Sequence, residues 1–547
     1  MPRRLPRAGS NFAGTLEALE SRRLLAGAPI TFGAAINDGI YAVETLPDNS
    51  TLVAGTFGST TDFQPGSGVT ALTSRGQSDV FIARYSTRGK LLWVGQIGGA
   101  GGRVDSDPLY SPVTATIGEF ENRTGPSANK QGEYVTTLKV RGDVLYIAGS
   151  FQATANFDTR PGAEFNRRSD GYHDAFIAAY RVADGSLVNA FSFGGPFDDV
   201  VKDLAFTSNG DLIATGQFTR QADFNPLSAV TSRQADGRDD IFVARYTPEG
   251  RLTWVYTAGG DAIRLDERDS GEGVAVDAND NVYVTGSFAG RADWDPSPAK
   301  FRVEAIDKTD AFLLRLSPRG KLDYIKPFGG EGYDGGRNIA IDAQNRVYIS
   351  GYFSETANLD PGAGRISLVA REEGDSRDTD DDDQGIDEFD LFLGQYSLTG
   401  DAAWVRQIGG DDYELLGQMR LADDGSVLVS GSFAGQIEFY GARSAAALRS
   451  VAGDDDFDDD SNRDDSYDAF VVRYSPRGGF VSAVKVGGNG DDWGNALGFN
   501  ASSGQLAFAG VFRNTANFGL DGGSPRVRSN GLQDAFLLGL DLNADLA

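Results

Sequence analysis

Carboxylates are the residues in this chain with the numbers and spacing to do chemistry. From Glu372 to Asp390 eleven acids stand against one base, Arg377, and from Asp454 to Asp468 nine stand against Arg463. Neighbouring carboxylates in water repel by about 1 kcal/mol at ~4 Å, so runs this dense either stay expanded or recruit cations. Oxygen-rich loops suit Ca²⁺, which takes about six to eight such ligands. The candidate calcium ligands are Asp375, Asp378, Asp380, Asp382 and Asp387 in the first run, and Asp454, Asp456, Asp458, Asp460 and Asp464 in the second. Residues 378–385 have the alternating acids of a calcium loop, but Gly385 is misplaced relative to the first Asp and no Glu closes the loop. A solvated acidic loop that aids solubility is the competing reading.

Other chemistry is bounded by what is missing. The 547 residues include no cysteine and a single histidine, His173, so thiol catalysis, cysteine zinc sites, iron–sulfur clusters and multi-histidine metal centres are excluded. His173 stands beside Asp174, but neighbours on a strand point to opposite faces and no Gly-x-Ser-x-Gly elbow accompanies them. The pair is not read as catalytic. The net charge of -28 argues against a nucleic-acid partner, since phosphate binding needs clustered Lys and Arg. No apolar run approaches the roughly 18 residues of a membrane helix.

The elements that position these residues follow from a repeat. Gly-x-Phe occurs at Gly55, Gly149, Gly216, Gly286, Gly351, Gly431 and Gly510. Asp-x-Phe follows at Asp79, Asp174, Asp240, Asp310, Asp390, Asp468 and Asp534, and a doubled glycine closes all but the last unit. Each unit reads as four short strands, and one such unit cannot bury its apolar faces alone. The expected fold is therefore all-β: a seven-bladed β-propeller of four-stranded antiparallel blades. The seventh unit lacks a fourth strand, and Ile30-Thr31-Phe32 supplies one. This N-terminal strand is expected to complete the last blade and close the ring.

Seven copies of the third-strand Asp argue for a backbone cap and against catalysis. Five residues beyond each Gly-x-Phe an Asx or Glu precedes an apolar ring or Leu, as in Asp62-Phe63 and Asp293-Trp294, which reads as an Asx turn with a wedge between blades. One cation or ligand site per blade is the sharper alternative. Trp93, Trp254 and Trp404 share one frame before the doubled glycines, which do not read as phosphate loops because no Lys and no helix follows. The first-strand segments carry Glu44, Lys139, Lys202, Asp203 and Arg420, too mixed a set to name a site. All large insertions, 100–133, 261–271, 371–389 and 452–467, fall in links on one face, and elaborated loops on a rigid frame are where binding resides.

Gly286-Ser287-Phe288, Asp468-Ala469-Phe470 through Tyr474, and Gly250-Arg251-Leu252-Thr253-Trp254 resemble the SBBP-type bacterial β-propeller repeat, over residues 30–547. WD40 and kelch signatures fit worse. The resemblance implies an extracellular or cell-surface setting and no common activity. Leu19-Glu20-Ser21-Arg22-Arg23-Leu24-Leu25 is similar to the Leu-Glu-Pro-Arg-x-Leu-Leu (LEPR-x-LL) segment that opens many exported proteins of planctomycete type, with Ser21 in place of Pro. Residues 1–28 are thus expected to be a basic, disordered export or sorting segment and 29–547 the propeller. The expected function is that of a non-enzymatic binding or scaffold module acting through its acidic, loop-rich face. Calcium is the expected cofactor, a glycan or protein the partner, and a monomer the state. The alternative is a carbohydrate-active enzyme, a glycoside hydrolase or polysaccharide lyase working by paired carboxylates.

Overall fold

A computed structural model of the chain describes residues 29–34, 37–64, 68–99, 132–227, 229–261, 268–296, 300–362, 364–371, 389–410, 412–441, 445–451, 466–519, 525–542 and 545–546. These form seven antiparallel sheets. Blades 1 to 6 span 39–97, 134–193, 199–258, 270–330, 334–410 and 414–488, and blade 7 joins 493–541 to the strand Ile30–Phe32. The innermost strands touch one another in a closed circle, blade 7 against blade 1 included. The protein is a seven-bladed β-propeller.

Closure is as the sequence predicts. Ile30, Thr31 and Phe32 pair with Leu537, Phe536 and Ala535. Phe32 is buried, with its ring centroid 5.0 Å from Phe63 and 5.4 Å from Phe81, so this strand finishes blade 7 and seals it against blade 1.

Each repeat signal has a physical cause. The first strand of every blade carries a bulge opposite the glycine of Gly-x-Phe, for example between Val201 and Asp203. The neighbouring carbonyl takes the space of a side chain: a Cβ on Gly216 would lie 2.0 Å from Val200 O, and one on Gly286 1.9 Å from Ser270 O. The doubled glycine ends the fourth strand where it meets the next blade. A Cβ on Gly330 would lie 1.9 Å from Thr356 O, and Gly330 pairs with Ala357.

The Asx turns form as expected. Asp223 Oδ1 accepts from the N–H groups of Asn225 and Thr231, and Asn156 Oδ1 from those of Asp158 and Phe165. The rings that follow, Phe63, Phe157, Phe224 and Trp294, are fully buried between blades. Tyr85, Tyr180 and Tyr246 lock three of them by donating to the carbonyls of Phe63, Phe157 and Phe224. Trp93 and Trp254 lie over the hairpin glycines Gly185 and Gly320 of the next blade.

Candidate functional site at the mouth of the central channel

The starts of the first and third strands and the ends of the second and fourth share one face, where the described residues flanking the long insertions also lie. The third-strand Asp caps the preceding link there. Asp174 Oδ2 accepts from Asp170 N–H at 3.1 Å, Asp310 Oδ2 from Ile306 N–H at 3.2 Å, and Asp534 Oδ2 from Asn530 N–H at 3.0 Å.

A second acid, not singled out in the sequence, faces each of these from the start of the next blade: Asp38, Glu133, Asp199, Asp269, Asp334, Glu414 and Asp492. Four of them accept from the second glycine of the doubled pair, Asp199 from Gly195, Asp269 from Gly260, Asp334 from Gly330 and Asp492 from Gly488, at 2.6–2.8 Å. Every seam between blades thus holds two buried carboxylates, and at Gly194 and Gly329 both crowd the same glycine. Burial pushes Asp38, Asp174, Asp269 and Asp310 up to about 7 and Asp240 to about 8, and raises Asp199, Asp334 and Asp492 well above the carboxylate range. Because the pairs recur at every seam they belong to the architecture, and no one of them stands out as a glycosidase pair.

The residues just before these acids break the repeat. Going round the ring, the seams juxtapose Ser78 with Gly132, His173 with Asp198, Asp239 with Arg268, Thr309 with Tyr333, Phe389 with Tyr413, Tyr467 with Asp491, and Gln533 with Asn37. Blades 2 to 4 present charge and blades 5 to 7 mainly rings. Among the rings, Phe389 packs 5.5 Å from Tyr352 and Tyr467 lies 6.3 Å from Trp493.

On the charged side, His173 Nδ1 lies 2.8 Å from Asp198 Oδ1, and Arg268 Nε lies 3.8 Å from Asp239 Oδ2. Burial holds the Arg268 guanidinium below its usual value, with Asp239 the main opposing charge and Arg238, Asp198 and Tyr134 also acting on it. Thr219 donates to Asp239 Oδ1 at 2.7 Å. Around this cluster lie buried atoms with no protein hydrogen-bond partner among the described residues: His173 Nε2, Ser150 Oγ, Arg238 Nη1, Asp239 Oδ2, and both amide atoms of Gln217, which is 0% exposed. Donors and acceptors, a cation and an anion, converge across three blades. Such a constellation can hold a polar ligand rich in hydrogen-bonding groups.

His173 therefore pairs not with Asp174 but with Asp198 across the seam; the chain alternation that separates His173 from Asp174 is what aims it there. The mixed first-strand charges pair with each other along the channel wall, Lys139 with Asp203 at 3.0 Å, Lys202 with Glu272 at 3.3 Å and Arg420 with Glu44 at 3.8 Å. The candidate calcium ligands in 375–387 and 454–464 lie outside the described residues. A groove of about 360 Å³ along the closure seam, lined by Ile30, Tyr85 and Leu537, opens on the opposite, short-turn face.

Fold and repeat define a β-propeller repeat protein. No family model matches the chain. It is 19% identical over 427 residues to the uncharacterized WD repeat-containing protein L264 of Acanthamoeba polyphaga mimivirus, a match covering 69% of this chain and 29% of that protein. The match thus spans under a third of that relative's length. Among solved structures, quinohemoprotein alcohol dehydrogenase ADHIIG from Pseudomonas putida HK5 is 10% identical at a TM-score of 0.35, covering 94% of this chain and 76% of that one. Pseudomonas fluorescens PhoX, in complex with vanadate, is 10% identical at a TM-score of 0.33, covering 94% and 90%. Likeness at this level carries no argument about activity. Among the described residues no helix is long and apolar enough to cross a membrane.

Proposed function

We propose that this protein is an exported or cell-surface propeller that binds a partner through its insertion face without catalysing a reaction on it. The observation that carries the reading is the loss of sevenfold repetition around His173, Gln217, Asp239 and Arg268, on the face that bears every long insertion. Mixed donors and acceptors beside opposed charges suit hydroxyl groups better than a single ion, so a glycan is favoured over a protein as the partner. The acidic runs 372–390 and 454–468, whose ends at Phe389 and Ser466 lie at that face, are proposed to bind calcium. The SBBP-like repeat and the LEPR-x-LL-like segment within residues 1–28 support export, and a ring closed on itself supports a monomer.

A glycan array probed with the labelled full chain and with Gln217→Ala tests the proposal. Binding to a defined glycan group, reduced at least tenfold in the variant while its melting curve is kept, is the expected result. Equal binding by both proteins would place the contact elsewhere.

A further inference from the structure

The outermost strand of blade 7 is shorter than its counterparts. In blades 1 to 6 six residues of the third strand pair with the fourth, as Val80 to Tyr85 do with Ile97 to Leu91. In blade 7 only Ala535, Phe536 and Leu537 find such partners, in Phe32, Thr31 and Ile30. Leu538, Gly539 and Leu540 pair with Phe508, Ala507 and Leu506 on their inner side and with no described residue on their outer side. Pro29, just ahead of Ile30, has no N–H to offer a ladder, so the strand starts after it. The groove of about 360 Å³ runs along this open edge, lined by Leu538 and Gly539 of blade 7 and by Thr87 and Gly89 of blade 1.

Blades 1 to 4 show what fits such a place. There a fourth-strand side chain crosses the seam and donates to a carbonyl in the next blade's hairpin: Trp93 to Val182 at 3.1 Å, Asn189 to Pro248 at 3.2 Å, Trp254 to Pro318 at 3.1 Å and Tyr324 to Leu398 at 2.6 Å. Third-strand arginines reinforce two of these contacts, Arg84 to Val182 and Arg245 to Pro318. Blade 7 has Gly539 in the arginine position. No described side chain donates to the carbonyl of Thr87, which stands two residues before Gly89 as Pro318 does before Gly320. Thr45 also lines the groove; it is 7% exposed, and its Oγ1 has no hydrogen-bond partner among the described residues. A buried hydroxyl without a partner and an unpaired strand edge both call for incoming polar groups.

We propose that this edge binds an extended segment of a partner protein by strand addition. The segment lies antiparallel to Leu538–Leu540, sets a tryptophan or tyrosine ring against the hairpin of blade 1 and donates its N–H or O–H to the Thr87 carbonyl. The run of Leu, any residue, ring and β-branched residue seen in Leu252-Thr253-Trp254-Val255 and Leu322-Asp323-Tyr324-Ile325 gives the sequence class. A second copy of this chain cannot supply those segments, because they are already built into its own blades. Ile30 fills the next place along the edge, so the bound segment ends or turns away there. The site lies on the face opposite the channel mouth and is independent of what binds at that mouth.

Fluorescence anisotropy of a labelled peptide with the sequence of residues 251–255, titrated with the full chain, tests this. One peptide per chain should bind saturably, and a peptide with alanine in place of Trp254 should bind about tenfold or more weakly. Gly539→Arg places over the slot the side chain that blades 1 and 3 carry, and should weaken binding by about the same factor without lowering Tm. No saturable binding, equal binding of the alanine peptide, or full binding by Gly539→Arg would each overturn the proposal, as would binding that shows only after residues 1–28 are removed. If Gly539→Arg does not fold, the alanine peptide decides.

Discussion

His173 meets Asp198 across the seam of blades 2 and 3, Nδ1 to Oδ1 at 2.8 Å, with both side chains buried. Asp198→Ala leaves the imidazole with neither nitrogen partnered, and a buried polar group so stranded costs about 1–3 kcal/mol. Denaturant unfolding of Asp198→Ala, His173→Ala and the double variant should give a coupling of about 0.5–3 kcal/mol. Simple additivity would mean the contact contributes nothing.

Stability should fall as pH rises from about 4 to about 8 in the presence of chelator. Asp174 and Asp310 titrate at about 7 and Asp240 at about 8 in the fold, against 3.8 when unfolded. The native state therefore binds more protons across that window. Its advantage is whole below the unfolded value and is lost as pH climbs through the folded ones. Denaturant midpoints at pH 5 and pH 8 measure this, and a higher midpoint at pH 8 would contradict it.

Gly330→Ala should destabilise by at least about 1–3 kcal/mol, because its methyl would press on the Thr356 carbonyl of the next blade. Gly479→Ala, with only Ser475 Oγ nearby at 3.1 Å, should stay within about 0.5 kcal/mol. Comparing the two by urea titration separates seam packing from a general intolerance of side chains.

Removing residues 1–35 deletes the strand that closes the ring. Calorimetry should show a lower and broader transition, and Phe32→Ala alone should cost about 3–5 kcal/mol. Unchanged melting of the truncated protein would refute the role of this strand.

Deleting 375–388 tests the acidic run directly. Isothermal titration should show fewer calcium ions bound than in the intact chain. Identical stoichiometry would free these acids from any metal role.

Blade number, the Asp cap and the Asx turns were legible because each depends on contacts local to one repeat, as with Asp223 and Asn225 or Asp310 and Ile306, and ring closure because the seventh unit visibly lacks the strand that Ile30–Phe32 supplies. The second acid of each seam was not. Asp199, Asp334, Glu414 and Asp492 follow the second glycine by four residues, a usable signal, but the insertions before Glu133 and Asp269 break the spacing and Glu replaces Asp twice. The partner of His173 was hidden for another reason. Asp198 belongs to the next blade, and the position varies from seam to seam, so no periodicity points to it.

Ile30 and Gly539 both border the groove on the short-turn face, and Ile30 lies against the hairpin glycine Gly89. The strand that begins at Ile30 thus enters the ring from the side opposite His173 and Arg268, and beyond Gly539 the chain folds back onto blade 6, where Leu546 is buried and its carbonyl accepts from Arg473 and Ser482. A tether fastened ahead of Ile30 would hold the disc like a plate on its stand, with the polar mouth turned outward.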